Sequence, residues 1–135
     1  MAVFRQSQAW LSGNGSREEE KEVGFRLRSL EDWSRMLESS KSRTVLVFKH
    51  STICGISSSV LAEVEGFLSQ HRNVPFGIVN VVGDRDLSDV IADRTRIRHE
   101  SPQMIAIVNE RPIWHASHWS IDLNELERFL ANTAE

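Results

Sequence analysis

A single cysteine, Cys54, stands between the apolar, β-branched run Thr44-Val45-Leu46-Val47-Phe48 and the start of a helical pattern. Its neighbours Ser51, Thr52, Gly55 and Ser57 are small or polar. That setting differs from the apolar surroundings in which free cysteine acts as a small hydrophobe. A thiol at a strand-to-helix junction suits thiol-disulfide exchange, in which a thiolate attacks a disulfide sulfur. A helix N-terminus offers about half a positive charge and several unpaired amides to such an anion. Lys49 and His50 lie just upstream, where positive potential is expected from them, and Ser57 or Ser58 is placed to donate a hydrogen bond. With no second cysteine, any cysteine chemistry is monothiol. A Cys-x-x-Cys dithiol and a multi-cysteine zinc site within one chain are excluded.

The histidines are the other chemistry-bearing residues. His115 and His118, with His50 and Cys54, can be drawn together as a metal site, but their spacing does not place them on one helix face. No metal is expected. Trp114 to Trp119 is expected to pack its indoles and expose polar tips beside the thiol. No Ser-His-Asp triad, phosphate loop or dinucleotide fingerprint is present. A Cys-His hydrolase would have to draw on His50 or His99.

The elements that position Cys54 follow from hydrophobic periodicity. Residues 1–24 hold the loop cluster Ser12 to Ser16 and the charge run Arg17 to Glu22, and are expected to form a flexible arm. Val23 to Arg28 alternates like a short edge strand. Ser29-Leu30-Glu31-Asp32 has the form of a capping box. Leu30, Trp33, Met36 and Leu37 make one face of a helix ending near Ser39. Thr44–Phe48 reads as a central strand covered on both faces. Ile56, Val60, Leu61, Val64, Phe67 and Leu68 form a helical stripe to about Gln70. Phe76–Val82 is a second buried strand, and Leu87, Val90 and Ile91 mark a helix with Asp86 as N-cap. Met104–Val108 and Pro112–Ala116 form a hairpin about Asn109-Glu110-Arg111, with Pro112 at an edge. Asp122 caps a last helix with the stripe Leu123, Leu126, Phe129 and Leu130.

At 135 residues the chain fits one domain, expected over 25–135. A net charge of -3 argues against nucleic acid as a partner. The longest apolar runs fall short of a membrane span, and Met1 to Gln6 lacks a signal-peptide core. A single cysteine suits a reducing cytoplasm.

The order β-α-β-α-β-β-α, with a thiol after the central strand, resembles the thioredoxin-like plan: an α/β fold with parallel strands, a C-terminal antiparallel hairpin and flanking helices. In that plan the residue before the third strand is a cis-proline facing the cysteine, and its neighbour's backbone pairs with substrate as an added strand. Pro102, after Ser101, occupies the place.

Phe48-Lys49-His50-Ser51-Thr52 with Cys54, Ile56 and Ser57, then Ala92-Asp93-Arg94, His99-Glu100-Ser101-Pro102-Gln103 and Trp114 to Ile121, resemble the monothiol bacilliredoxin family in the same order. The resemblance covers about residues 25–132. It implies a bacterial, cytoplasmic oxidoreductase in which Cys54 removes bacillithiol, or a similar low-molecular-weight thiol, from client proteins. Substrate contacts are expected from Lys49, His50, Thr52, Gly55, Ser57, Ser101, Pro102, His115 and His118. The thiol is a co-substrate, no cofactor is tightly bound, and a monomer is expected. One departure is Gly55, where the family commonly has proline. Cys54-Gly55-Ile56-Ser57 also resembles the Cys-Gly-Phe-Ser motif of monothiol glutaredoxins, which implies a [2Fe-2S] carrier as an alternative. A non-catalytic, peptide-binding module is the third reading.

Overall fold

A computed structural model describes residues 24–71 and 73–133. The expected N-terminal arm, apart from Gly24, lies outside the described residues. The elements are β1 (Phe25–Arg26), α1 (Leu30–Ser39), β2 (Val45–His50), α2 (Gly55–Leu68), β3 (Phe76–Asn80), α3 (Arg85–Thr95), β4 (Gln103–Val108), β5 (Arg111–Ser117), a short 3-10 turn (His118–Ser120) and α4 (Leu123–Thr133).

They build a five-stranded sheet in the order β1-β3-β2-β4-β5. β3 runs parallel to both β1 and β2. β4 is antiparallel to β2, and β5 to β4. Central β2 is therefore paired along both edges, and the cover on both of its faces explains its apolar composition. Its side chains alternate between two core clusters. Val45 and Val47 join Trp33 and Met36 of α1 and Leu87 and Ile91 of α3. Leu46 and Phe48 join Val60, Val64 and Leu68 of α2 and Leu126 and Leu130 of α4. The sheet thus has an α1/α3 face and an α2/α4 face.

The local signals act as their chemistry predicts. Ser29 caps α1: its Oγ accepts from the Asp32 amide at 3.1 Å, and the Asp32 carboxylate accepts from the Arg28 amide at 2.8 Å. Asp122 accepts from the Asn124 amide at 2.9 Å at the start of α4. The β4-β5 hairpin turns through Asn109 and Glu110, both at positive φ, the geometry of a tight two-residue turn. That turn is pinned to the end of α1: the Asn109 amide donates to Ser40 O at 2.6 Å and the Glu110 amide to Ser40 Oγ at 2.8 Å.

Some boundaries differ from expectation. β2 continues past Phe48 to His50, because β4 supplies partners as far as Lys49. α3 begins one residue after Asp84, not Asp86, and Asp84 makes no side-chain capping bond. Leu30 and Ile56, assigned to buried stripes, are exposed, because each lies in the first turn of its helix.

Gly77 in β3 marks a close approach of α1 to the sheet. A Cβ there would lie 2.9 Å from Leu27 Cδ1 and 3.2 Å from Met36 Cε. Gly77→Ala is therefore expected to overpack this layer and cost about 1–3 kcal/mol. A urea midpoint equal to that of the unmodified protein would contradict it.

Candidate functional site

β2 ends at His50 and α2 opens at Gly55, so residues 51–54 must bridge them in one turn. The Cys54 amide donates to Ser51 O at 3.3 Å, and the Cys54 carbonyl accepts from the Ser58 amide at 3.2 Å. The residue is thus the N-cap of α2, with extended backbone (φ -118, ψ 118). Its side chain makes no capping bond and is partly exposed. The sulfur sits at the positive end of the helix, near amides of the first turn that have no intrahelical acceptor.

Ser57 holds this turn in place. Its buried Oγ accepts from the Ser51 amide at 3.0 Å and lies 2.8 Å from His50 Nδ1. The hydroxyl expected to serve the sulfur is therefore engaged with strand β2. His50 also departs from expectation. Burial, and then the charge of Arg26, hold its pKa below the usual histidine value. It is neutral at neutral pH and adds no positive potential.

The Ser101-Pro102 segment reaches the same end of the sheet. Lys49 pairs with Gln103, so continuing the antiparallel register sets Pro102 opposite His50 and Ser101 opposite Ser51. The Ser101-Pro102 peptide is cis. Pro102 is buried, and its carbonyl accepts from the His118 amide at 2.8 Å. Ser101 Oγ is buried without a partner. Thr52 and Gly55 are exposed beside the thiol. So are the apolar residues Ile53 (83% exposed) and Ile56 (41%), with Trp119 (69%) on the 3-10 turn that follows β5. Trp114 instead packs, stacked on Phe129 at 6.0 Å, so only one of the two indoles is covered as expected.

The remaining expected residues do not converge on the sulfur. Lys49 alternates with His50 and lies on the α1/α3 face, away from α2, with 0% exposure. It is not available to solvent as a direct substrate contact. His115 pairs with Ile105, a residue of the α1/α3 cluster, and so lies on that face too. His118 is exposed at the start of the 3-10 turn. Both histidines help to hold the Glu100 carboxyl below its usual pKa, behind the larger effect of a Ser117 hydrogen bond. Among the described residues no group of three or more His, Cys, Asp or Glu is arranged to hold a metal.

Sequence reasoning missed the partners of Lys49. Its Nζ lies 3.3 Å from His99 Nδ1, and the same nitrogen lies 3.1 Å from Ser88 Oγ. The available signal was a lysine continuing the inward alternation of an apolar strand. Burial, opposed by Asp89, lowers the Lys49 pKa to about 8.

Gly55 is not demanded by the backbone. A Cβ there meets nothing within 4 Å. Cys54 already has the extended conformation a residue before proline adopts, and position 55 is the first of α2. Gly55→Pro is expected to fold and to gain about 0.4–1 kcal/mol by restricting the unfolded chain. Loss of stability in urea denaturation would refute this. A second expectation concerns pH. His50 and His99 both have pKa values lowered chiefly by burial, so the unfolded chain binds more protons below the unfolded value of about 6.5. Stability is full above that pH and declines as pH falls toward the folded pKa values. His50→Asn should flatten the decline in urea midpoints as pH falls below about 6.5; an unaltered slope would count against His50 as a source.

Comparisons with known proteins agree with this geometry. The family model described as "Monothiol bacilliredoxin BrxC" matches residues 25–126. A solved structure described as a proposed oxidoreductase with a thioredoxin fold is 33% identical, with a TM-score of 0.71 over 78% of this chain and 92% of that one. Thioredoxin from Nicotiana alata is 16% identical, with a TM-score of 0.68 over 90% of this chain and 98% of that one. Thioredoxin from Fasciola hepatica is also 16% identical, at a TM-score of 0.65 over 80% and 97%. The last two likenesses establish the fold alone. Family and fold together support a redox role. With its single cysteine at the N-cap of α2, the chain has a thioredoxin fold and belongs to the monothiol bacilliredoxin family.

Proposed function

We propose that the chain is a monothiol thiol-disulfide oxidoreductase that reduces mixed disulfides between client proteins and bacillithiol or a similar low-molecular-weight thiol. The observation that carries this reading is the placement of Cys54. Its sulfur is free of capping bonds at the head of α2, on the sheet end that also holds Ser101 and Pro102. The Cys54 thiolate attacks the small-thiol sulfur of the mixed disulfide. A new sulfur-sulfur bond forms, the old one breaks, and the client cysteine leaves as a thiolate that takes a proton from solvent. Cys54 then carries the small thiol. A second low-molecular-weight thiol attacks that disulfide, restores Cys54 and leaves as the symmetrical disulfide, which holds the two electrons' worth of oxidation.

Thr52, Gly55, Ser101 and Pro102 border the sulfur in this scheme, and His118 reaches the Pro102 carbonyl through its backbone. Exposed Ile53, Ile56 and Trp119 offer apolar contact to a client chain. Ser57 and His50 fix the turn. No tightly bound cofactor takes part. A reducing bacterial cytoplasm and a monomer working on thiolated proteins complete the reading.

Incubating the reduced protein with an oxidised low-molecular-weight thiol should add one thiol mass, at Cys54, by intact mass spectrometry. Cys54→Ser should lose both the adduct and all client reduction. Client reduction that persists in that variant would sink the proposal.

A further inference from the structure

Lys49 places a titratable amine where the fold gives it little support. Its side chain is completely buried in the central strand. Among the described residues it forms no ion pair with a carboxylate. Its polar neighbour is the His99 ring nitrogen at 3.3 Å. Ser88 Oγ, from α3, approaches that nitrogen at 3.1 Å. Gln103 stands directly across from Lys49 on β4 and shares its face. The Gln103 Nε2 donates to Arg98 O at 3.0 Å and lies 3.2 Å from Ser117 Oγ, while its Oε1 is buried without a partner.

The protonation logic of the cluster is restrictive. Nδ1 of His99 has one lone pair, which the Lys49 ammonium and the Ser88 hydroxyl share as donors only if the ring is neutral and carries its proton on Nε2. A protonated ring would set two cations against each other. The charged groups around the cluster are Arg85 and Asp89 of α3 and Glu100 of the loop, whereas α1 presents apolar Trp33 and Met36 to this face. Replacing a buried charge by a hydrophobe of similar volume is commonly neutral or stabilising. Packing alone therefore gives no reason for lysine at this position.

What the cluster does is tie three pieces of chain together. Lys49 belongs to the strand that ends at the Cys54 turn. His99 and Gln103 bracket Ser101 and Pro102. Ser88 belongs to α3. We propose that Lys49, acting through His99 and in concert with Gln103, is a positioning residue that holds the 98–103 segment in register with the Cys54 turn for docking of a disulfide-bearing protein. The inference rests on the oxidoreductase reading for its consequence, but the positioning itself is measurable without it. The direction of its pH dependence is distinctive. With the Lys49 pKa near 8, the ammonium donates below that pH and its charge is lost above it, so docking weakens as pH rises. Ionisation of a thiol runs the other way.

The test uses the full chain with Lys49→Met, which keeps volume and removes charge, and His99→Asn, which keeps an acceptor. The probe is a single-cysteine protein carrying glutathione in mixed disulfide, with free glutathione supplied as the resolving thiol. For Lys49→Met, the urea midpoint should not fall, and hydrogen-exchange protection should drop about tenfold at the His118 amide, which donates to the Pro102 carbonyl, while α2 keeps its protection. KM for the probe should rise about tenfold, with the rate of Cys54 alkylation by iodoacetamide changed less than about twofold. His99→Asn should retain most of the protection. In the unmodified protein KM should climb as pH passes about 8. Unchanged protection at the His118 amide, or a loss spread evenly over the chain, overturns the proposal; so does a KM that is flat through that pH in a protein that reduces the probe. If the unmodified protein reduces neither this probe nor its bacillithiol counterpart, the oxidoreductase reading falls, and hydrogen exchange alone still decides the role of Lys49.

Discussion

Strand β2 is hydrogen-bonded along both edges and packed on both faces, so nothing along it is free to slide. A one-residue slip would exchange its two sets of side chains between faces, driving Lys49 into the α2/α4 core. The site inherits that fixity. Where β2 stops, the chain has only one short turn before α2 starts. The Ser57 hydroxyl closes the turn by accepting the Ser51 amide. Cys54 is consequently placed by the sheet register and one side-chain hydrogen bond, not by a flexible loop.

Ser57 occupies the position where a dithiol protein would carry its second cysteine. Here the group at that position is a structural acceptor, tied to His50 and to the strand end. The geometry that would support a resolving thiol has been turned to holding the turn. This accords with monothiol chemistry, in which resolution comes from outside the chain.

The features that were legible in the sequence are those written locally. The Ser29-Asp32 capping box, the hairpin about Asn109-Glu110-Arg111 (with Arg111 already in β5), the Asp122 cap and the strand-to-helix position of Cys54 each depend on residues within a few positions of one another. What was not legible depends on partners distant in sequence. Lys49 and His50 look alike as neighbouring cations upstream of a thiol, but strand alternation sends them to opposite faces. Only the pairing of β2 with β3 and β4 shows that the strand continues far enough for alternation to apply. The neutrality of His50 comes from burial and from Arg26 on an edge strand two positions across the sheet. Ser88 gave no sequence signal, since a serine in a helix is ordinary until a histidine from a later loop is set against it. The exposure of Ile56 likewise follows from how far the first turn of α2 projects past the sheet.

The double attachment of the hairpin turn to Ser40 has a wider meaning. Asn109 and Glu110 are fastened to the end of α1 at the pole of the sheet opposite Cys54. The two strands that lead from that anchor are tied again at their far end, where the His118 amide meets the Pro102 carbonyl and Gln103 Nε2 lies beside Ser117 Oγ. A strand pair fastened at both ends acts as a ruler: the level of Pro102 beside the Cys54 turn is set by a contact at the opposite pole of the sheet.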